Sequence, residues 1–418
     1  MKRKRPVRGI FAAFLILVSG HALAREGIQI SENPAHAWRS PLATQSLLLA
    51  VEKSQDRWIT VGERGHILYR QGDGPWQQAT APTRALLTGL SFPNARHGWA
   101  VGHDAIILAT SDGGRIWRKM HQAIDEQRPL LDVHFQNNNT GFAIGAYGYL
   151  LRTEDGGASW HSHSVNPDHD FHLNAIATIP AGLCKSVSEN SGSSRGGSPI
   201  AVPQGAEGEK SGSVAGYMTR FITLSQRSGP QFGGRRSRPG ISQTRSKPAP
   251  CKEAEINETA VPGAVPRTYI AAEAGYVYRS DDGGNSWQTL DPPYDGSFFG
   301  VHPMDRDSVM VFGLRGHLFV SEDAGGHWRS VETGTQATLT SAISLASGRF
   351  LLTGHAGTLL LVDADLHRTR RAQLPERKAL SDAVEIAPNR VLVVGENGIH
   401  TVDLCQMFPG EALCPYAE

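Results

Sequence analysis

The sequence predicts an all-β chain that folds as a single seven-bladed β-propeller. Three observations lead to this prediction: a short motif that returns seven times, a spacing near 41 residues between most copies, and four short apolar runs in each unit. A repeat of about 40 residues with four strands is typical of propeller blades. Helical solenoids have similar periods, but alternating β-branched residues and frequent turns favour strands.

The recurring motif is a small or apolar residue, a first glycine, two variable residues and a second glycine, as in Val61-Gly62-Glu63-Arg64-Gly65. We call it the GxxG motif, although alanine replaces a glycine at Ala105 and Ala272. Its first positions are 62, 102, 145, 272, 313, 354 and 395, which are separated by 40, 43, 127, 41, 41 and 41 residues. The long step indicates one ordinary repeat plus an insertion of about 85 residues.

Each unit has the same internal order. An apolar run is followed by a short turn, a second run that ends at the GxxG motif, a third run, and an Asp- and Gly-containing turn before a fourth run. Glycine-rich pairs between apolar runs are strong hairpin signals. Within a propeller spanning 25–404, this order places the blades near residues 43–80, 84–122, 129–165, 171–290, 296–332, 337–375 and 379–404.

Four units carry the pattern Ser/Thr-x-Asp-x-Gly-x-x-Trp between the third and fourth predicted strands. Its residues are Thr110, Asp112, Gly114 and Trp117; Thr153, Asp155, Gly157 and Trp160; Ser280, Asp282, Gly284 and Trp287; Ser321, Asp323, Gly325 and Trp328. A carboxylate in a tight turn accepts hydrogen bonds from unpaired backbone N–H groups, and glycine supplies positive φ angles. We expect the tryptophan to fill the gap between neighbouring blades.

The recurrence of this aspartate argues against a role in catalysis or in the binding of metal or phosphate. A catalytic aspartate is needed once, and a calcium loop needs more oxygen ligands at fixed spacing. A phosphate-binding loop needs Lys-Ser/Thr after its last glycine and a following helix, neither of which the pattern provides. We therefore interpret the four turns as structural and expect no metal, no cofactor and no catalytic residue.

The chain begins with a predicted secretory signal peptide, residues 1–24. Basic residues Lys2 to Arg5 precede an apolar stretch, Ile10 to Val18, and Ala22-Leu23-Ala24 is a small-residue cleavage site. The apolar stretch is too short to span a bilayer, and an uncleaved anchor is the less favoured alternative because of the Ala-x-Ala site. The sequence thus predicts an exported protein, periplasmic in a Gram-negative bacterium or lumenal in an equivalent compartment, without stable membrane insertion after cleavage.

Residues 181–266 interrupt the fourth blade with a segment rich in Ser, Gly, Pro and Arg. This composition buries too little apolar surface to order itself, so we expect a long disordered insertion. Its arginines, such as Arg235 and Arg236, could contact an acidic partner or anionic lipid, although a tolerated loop is the favoured interpretation. Residues 405–418 form a C-terminal tail, and the N-terminal segment near 28–30 is expected to complete the last blade.

The charge and the cysteines limit the classes of function. A formal net charge of +1 gives no attraction toward nucleic acid, and we expect a monomer. Four cysteines in an oxidising compartment are candidate disulfide partners rather than metal ligands. Cys405 with Cys414 and Cys184 with Cys251 is one pairing, but the sequence allows three connectivities.

The Ser/Thr-x-Asp-x-Gly-x-x-Trp pattern resembles the Asp box of bacterial neuraminidase (BNR) repeats. Together with the preceding GxxG motif in an exported chain, it resembles the photosystem II stability/assembly factor family more closely than the sialidases. That resemblance covers the mature chain except the insertion. It implies a seven-bladed propeller without enzymatic activity that helps to assemble a membrane-protein complex, although related chains also occur in bacteria that do not photosynthesise.

A glycan-binding or glycoside-hydrolysing propeller is the alternative function. The resemblance to sialidases would imply an arginine triad, a tyrosine–glutamate pair and an early Arg-Ile-Pro motif. No Arg-Ile-Pro occurs in the chain, and the related Arg115-Ile116 pair already belongs to an Asp box. Scattered carboxylates could still serve in acid–base hydrolysis, but the sequence alone does not pair them.

The candidate partner-binding surface is the ring of GxxG turns, on the face opposite the Asp boxes. Loops on a rigid scaffold commonly carry recognition residues. Solvated turn residues are the alternative interpretation for any single member. The candidate residues are Glu63, Arg64, Arg84, His103, Asp104, Arg128, Tyr147, Glu273, Arg315, His355, Glu396 and Asn397.

Overall fold

The computed structural model describes residues 35–179 and 265–410, which form seven small antiparallel sheets. Consecutive strands pair in each sheet, so the first strand lies at one edge and the last at the other. This arrangement confirms the predicted seven-bladed β-propeller. It follows from alternating apolar runs separated by tight turns, which allow each strand to pair with the next one in the chain.

The strands of the first three blades are β1 (Leu48–Ser54), β2 (Arg57–Gly62), β3 (Ile67–Gln71) and β4 (Gln77–Gln78); β5 (Leu87–Ser91), β6 (Gly98–Gly102), β7 (Ile107–Thr110) and β8 (Arg118–His121); and β9 (Leu130–Phe135), β10 (Gly141–Gly145), β11 (Leu150–Thr153) and β12 (His161–His163). Blade 4 consists of β13 (Leu173–Ile179), β14 (Arg267–Ala272), β15 (Val277–Ser280) and β16 (Gln288–Leu290).

The strands of the last three blades are β17 (Phe298–Pro303), β18 (Val309–Gly313), β19 (Leu318–Ser321) and β20 (Arg329–Ser330); β21 (Leu339–Ser344), β22 (Phe350–Gly354), β23 (Thr358–Val362) and β24 (Thr369–Gln373); and β25 (Leu380–Ala387), β26 (Arg390–Gly395) and β27 (Gly398–Asp403). Short 3-10 turns occupy Ala43–Gln45, Glu63–Gly65, His103–Ala105, Ile124–Glu126, Leu314–Gly316 and His355–Gly357. Within the described ranges, no helix is long and apolar enough to cross a membrane.

The first strands of the seven blades form a closed inner ring. β1, β5, β9, β13, β17, β21 and β25 contact one another in that order, and β25 contacts β1. The turn at Ala43–Gln45 packs on β27, where a side chain at Gly398 would lie 2.0 Å from the Thr44 carbonyl oxygen. The start of blade 1 therefore closes against the end of blade 7.

The apolar core lies between blades rather than in the centre of the ring. Seven clusters of buried side chains each combine residues from two neighbouring blades. The second strands supply the largest share because all five residues of β6, β10, β18 and β22 are buried. Each blade thus buries both faces only when its neighbours are present.

The Asp boxes fasten adjacent blades. In each of the four turns the Ser/Thr hydroxyl donates to the aspartate Oδ1 over 2.8–3.0 Å and accepts from the N–H of the glycine four residues on. Trp117, Trp160, Trp287 and Trp328 pack into the clusters shared with the preceding blade. Arg57 of blade 1 donates to the Asp112 carbonyl oxygen of blade 2 over 3.1 Å, which adds a polar tie.

The chain remains packed beyond the predicted end of the propeller at residue 404. A short helix, α1 (Leu404–Met407), begins at Asp403, whose Oδ1 accepts from the Cys405 N–H over 2.8 Å. Leu404 and Phe408 are buried in the cluster between blades 6 and 7. Cys405 is disulfide-bonded. The structured region therefore includes the first residues of the segment that the sequence analysis assigned to a tail.

Other predictions fall on residues outside the described ranges. They concern the signal peptide at 1–24, the closing strand near 28–30, nearly all of the insertion at 181–266, and Cys184, Cys251 and Cys414. In the described chain blade 7 has three strands, one fewer than the other blades.

Replacing Asp282 by Ala tests the fastening role. The Asn285 and Ser286 N–H groups and the Ser280 hydroxyl would lose their acceptor. We expect the free energy of unfolding to fall by about 1–3 kcal/mol, measured by urea denaturation. Asp291→Ala removes an exposed carboxylate and should change it by less than about 0.5 kcal/mol. Equal effects of the two substitutions would contradict the role.

Candidate binding surfaces and the channel

The seven GxxG turns are fixed to the inner ring by the same hydrogen bond. In every blade the first variable residue donates its N–H to the carbonyl of the residue before or near the start of the first strand, over 2.9–3.1 Å. The donors are Glu63, His103, Ala146, Glu273, Leu314, His355 and Glu396, and the acceptors are Leu47, Leu86, Pro129, His172, Ser297, Thr338 and Ala379. The turns therefore lie over the N-terminal ends of the inner strands, at one mouth of the channel.

The approach of this backbone explains the first glycine of the motif. A side chain at Gly102 would lie 2.1 Å from the Leu86 carbonyl oxygen, which no Cβ atom tolerates. In six of the seven blades the second variable residue adopts a left-handed backbone conformation, with φ of 56° at Arg64, 61° at Asp104 and 57° at Tyr147. The side chains of these six residues are exposed to solvent, except the half-buried Ala356.

The structure brings most members of the predicted ring to this face. Some of their side chains are exposed and others are half-buried. Exposed side chains belong to Arg64, Asp104, Tyr147, Arg315, Glu396 and Asn397. Half-buried side chains belong to Glu63, His103, Glu273 and His355. Burial lowers the pKa of both His103 and His355, so both imidazoles are held in the neutral form more strongly than a free histidine.

Three predicted members are already engaged within the fold. The Glu273 carboxylate accepts from the His172 N–H and lies 2.8 Å from His172 Nδ1. Burial opposes ionisation of Glu273, but the bonds and charge of His172 hold its pKa below the usual value. Arg84 donates to the His36 carbonyl oxygen over 2.9 Å and stacks on Trp38. Arg128 lies 5.3 Å above the Tyr149 ring.

Tyr147 is the most exposed aromatic residue of the ring, at 47%. Its ring packs on His172 with centroids 4.8 Å apart. His169, Phe171 and Tyr276 continue the aromatic patch, with Phe171 and Tyr276 stacked at 4.8 Å. Tyr147 was predicted from the sequence, but the other four residues were not, since they lie in the linker before β13 and next to the start of the third strand of blade 4.

Three carboxylates inside the channel were also missed by the sequence analysis. Glu52, Asp132 and Asp382 lie on the innermost strands β1, β9 and β25. Asp132 Oδ2 accepts from the Ile176 N–H of blade 4 over 2.9 Å, and Asp382 Oδ2 accepts from the Val51 N–H of blade 1 over 2.8 Å. Each aspartate thus connects its own blade to the next one. These three carboxylates could have been found from the sequence, because each is an acidic residue within the mainly apolar first strand of its blade.

The channel environment makes these carboxylates hard to ionise. Burial, together with the negative charges of Asp382 and Asp132, raises the pKa of Glu52 to about 8. Burial also raises the pKa of Asp132 to about 7 and that of Asp382 to about 6, against hydrogen bonds that favour the charged forms. Glu52 Oε2 has no hydrogen-bond partner in the described structure.

The described channel lacks the groups that sialidase-type chemistry would use. The seven innermost strands contain no arginine and no tyrosine. Within the described residues no cluster of histidine, cysteine and carboxylate side chains is arranged to hold a metal ion. Both aspartates of the channel use their oxygens as acceptors for backbone N–H groups. The glycosidase alternative therefore gains no support from the channel.

The comparisons with known proteins agree with this geometry. Residues 69–130 and 120–180 each match the family model described as Photosynthesis system II assembly factor YCF48. Over these residues the propeller resembles the Ycf48 family. This result confirms the resemblance that the GxxG and Asp-box motifs indicated.

Curated relatives match over short segments. The Photosystem II assembly lipoprotein Ycf48 of Trichormus variabilis is 39% identical over 59 residues, which is 14% of this chain and 17% of that protein. The Photosystem II assembly protein Ycf48 of Thermosynechococcus vestitus is 31% identical over 68 residues, 16% of this chain and 20% of that protein. The aligned segments thus span no more than a fifth of these relatives.

Solved structures share the fold over most of the chain. YCF48 bound to a D1 peptide superposes with a TM-score of 0.53 at 14% identity, over 90% of this chain and 98% of that one. YCF48 from Cyanidioschyzon merolae gives 0.54 at 12% identity, over 88% and 98%. The WD40 propeller domain of Doa1 gives 0.55 at 9% identity, over 88% and 95%. At these identities the likeness concerns the fold alone.

Replacing Glu52 by Gln tests the cost of the buried charge. A raised pKa in the folded state means that folded protein retains a proton between pH 4.5 and about 8 that unfolded protein releases. Stability should therefore fall as the pH rises through this window. Glutamine abolishes this loss, so we expect Tm to rise by about 3 °C or more at pH 9 and to change little at pH 4, measured by calorimetry.

The exposed Glu376→Gln variant is the matched control and should leave the pH dependence of Tm as it is in the parent chain. If Glu52→Gln lowers Tm at pH 9, the carboxylate stabilises the channel in its charged form and the assignment is wrong.

Proposed function

We propose that this chain is an exported, non-catalytic binding factor that assists the assembly or stability of a membrane-protein complex. The observation that carries the proposal is the match of residues 69–180 to the Ycf48 family model. This range runs from the third strand of blade 1 to the first strand of blade 4. The solved structure of YCF48 bound to a D1 peptide supports the same mode of action, in which a propeller binds a segment of a membrane-protein subunit.

The GxxG face is the surface we assign to partner binding. Its turns have a fixed backbone, because each is tied to the inner ring, while the exposed second residues differ from blade to blade. Arg64, Arg315 and Asp104 supply charge, and Tyr147 supplies an aromatic contact. A rigid scaffold with varied exposed side chains lowers the entropic cost of binding a peptide segment.

The engagement of the ionisable groups supports a role without catalysis. The Asp-box aspartates and the channel aspartates accept hydrogen bonds from the backbone of the propeller itself. A catalytic carboxylate must instead reach the proton that it transfers. Their perturbed pKa values are explained by burial and by structural hydrogen bonds.

Export is supported by the signal-peptide pattern at residues 1–24 and by the disulfide at Cys405, since structural disulfides persist in oxidising compartments. Expression of the full chain in a Gram-negative host should yield a periplasmic protein that begins at Arg25, as measured by fractionation and intact mass. A chain that retains residue 1 in the cytoplasm would contradict the proposal. A chain expressed from Arg25 is the control and should remain cytoplasmic.

A capture experiment tests the binding surface. The tagged chain is incubated with solubilised membranes of the source organism, and bound proteins are identified by mass spectrometry. We expect an integral-membrane subunit to be captured and its recovery to fall at least tenfold in the Arg64→Glu/Arg315→Glu variant, because two exposed cations of the GxxG face reverse sign.

The matched control is Arg390→Glu, which reverses an exposed arginine at the start of the second strand of blade 7, on the Asp-box face. Equal recovery by the double variant and by the control would show that the GxxG face does not bind the partner.

A further inference from the structure

The Asp box of blade 2 is the one of the four that has an apolar residue before the tryptophan. In blades 3 and 4 this residue is a serine, and Ser159 and Ser286 donate their hydroxyls to the second aspartate oxygen over 2.6 and 2.5 Å. In blade 5 His327 Nδ1 lies 2.6 Å from the same oxygen of Asp323. Blade 2 has Ile116, which has no polar side-chain atom.

The isoleucine has two structural consequences. Oδ2 of Asp112 makes no hydrogen bond with any described residue, whereas Oδ1 accepts from Thr110, Arg115 and Ile116. The Ile116 side chain is 57% exposed instead of packing into the blade. The position whose side chain closes the turn in blades 3, 4 and 5 therefore exposes an aliphatic side chain in blade 2. Such exposure is unfavourable for an isolated propeller.

Ile116 lines a groove on the outer side of blade 2. The groove has a volume of about 220 Å³, and Trp99, Ala109 and Met120 form the rest of its apolar wall. Met120 is 38% exposed and lies on β8, the outermost strand of the blade, which has no strand on its outer side among the described residues. An apolar groove beside a free strand edge is the geometry that accepts an added extended peptide.

The charge around this groove is positive. Arg118 lines the groove, and Arg96 and Arg115 belong to the loops next to it, since the Arg96 carbonyl oxygen accepts from Gly113 and Arg115 precedes Ile116. All three are exposed, and none makes an ion pair with a described residue. Asp112 is the single carboxylate of the lining. The charge of Arg115 acts on Asp112, and the three exposed arginines outnumber this carboxylate, so the surroundings of the aliphatic groove complement an acidic segment with aliphatic side chains.

We propose that the groove formed by Ile116, Met120 and Trp99 beside β8 binds an extended acidic peptide segment of a partner protein, with an aliphatic side chain in the groove and carboxylates on Arg96, Arg115 and Arg118. An extended segment with alternating acidic and aliphatic residues would present all its aliphatic side chains to one side. This surface lies at the Asp-box rim of blade 2, so the inference does not depend on the GxxG face.

A concave groove favours a peptide over a lipid surface. A membrane-inserting patch presents its apolar side chains outward from a convex surface, whereas Trp99 forms a recessed wall behind Ile116 and Met120. Binding of anionic vesicles is therefore the competing outcome of the test.

The test uses a fluorescein-labelled nine-residue peptide of alternating Asp and Leu, and fluorescence polarisation against the full mature chain. We expect saturable binding that weakens at least tenfold in Ile116→Ser and in Arg118→Glu. Peptides with Lys for Asp, or Ser for Leu, should bind at least tenfold more weakly than the parent peptide. Vesicles containing phosphatidylglycerol are tested by co-sedimentation.

Ile116→Ser is designed so that loss of binding is not loss of folding. The new hydroxyl can close the turn as Ser159 and Ser286 do, so Tm should stay the same or rise while peptide binding falls. Ser159→Ile in blade 3 is the matched control and should lower Tm without changing binding of the peptide.

Three results would overturn the proposal: no saturable binding of the Asp–Leu peptide, equal affinities for the parent chain and Ile116→Ser, or Ile116-dependent sedimentation with vesicles in place of peptide binding. The capture experiment on the GxxG face is independent of all three, because it changes residues on the opposite face.

Discussion

Neighbouring blades are joined at the channel by side chains, because their innermost strands do not form a common sheet. Thr88, Asn174 and Thr340 each donate to the carbonyl oxygen of the first residue of the next inner strand over 2.7–2.9 Å. Ser91, Asp132 and Asp382 accept a backbone N–H from the next blade over 2.8–3.0 Å. These bonds set the distance between blades, and therefore the fit of the seven apolar clusters on which the stability of the ring depends.

The position of a residue along the blade decides whether it has a structural role or is exposed for binding. The channel aspartates Asp132 and Asp382 accept backbone N–H groups of the next blade, whereas the Asp-box aspartates accept N–H groups of their own turns. Most residues at the second position of the GxxG turns are exposed, although Arg64 lies 4.0 Å from Glu63 and Tyr147 packs on His172. Ile116 is an exception, since its backbone N–H donates to Asp112 but its side chain has no polar atom to bond the second oxygen of that aspartate. Such a departure within an internal repeat is informative because the other copies show what the position does by default.

The sequence predicted the seven blades because the GxxG motif recurs in each of them, and in six blades its first glycine is required sterically, as the 2.1 Å approach at Gly102 shows. It predicted which side chains reach the GxxG face, because turn positions follow directly from the repeat. It did not predict that Glu273 and Arg84 are engaged, nor that Asp132 and Asp382 cross to the next blade. Those contacts join residues that are distant along the chain, and Asp382 bonds to a strand 331 positions away. No local pattern encodes such a partner.

The left-handed residue of the GxxG turn keeps the backbone of this face the same while its side chains differ from blade to blade. Arg64, Asp104, Tyr147, Ala274, Arg315 and Ala356 all adopt φ between 54° and 61°, although their side chains have little in common. Unbranched, aromatic and short side chains therefore occupy the same backbone, whereas a β-branched residue would be strained there. Substitution at these six positions can change the charge and size of a surface without moving its framework, so lineages with this fold can acquire new partners without rebuilding the propeller.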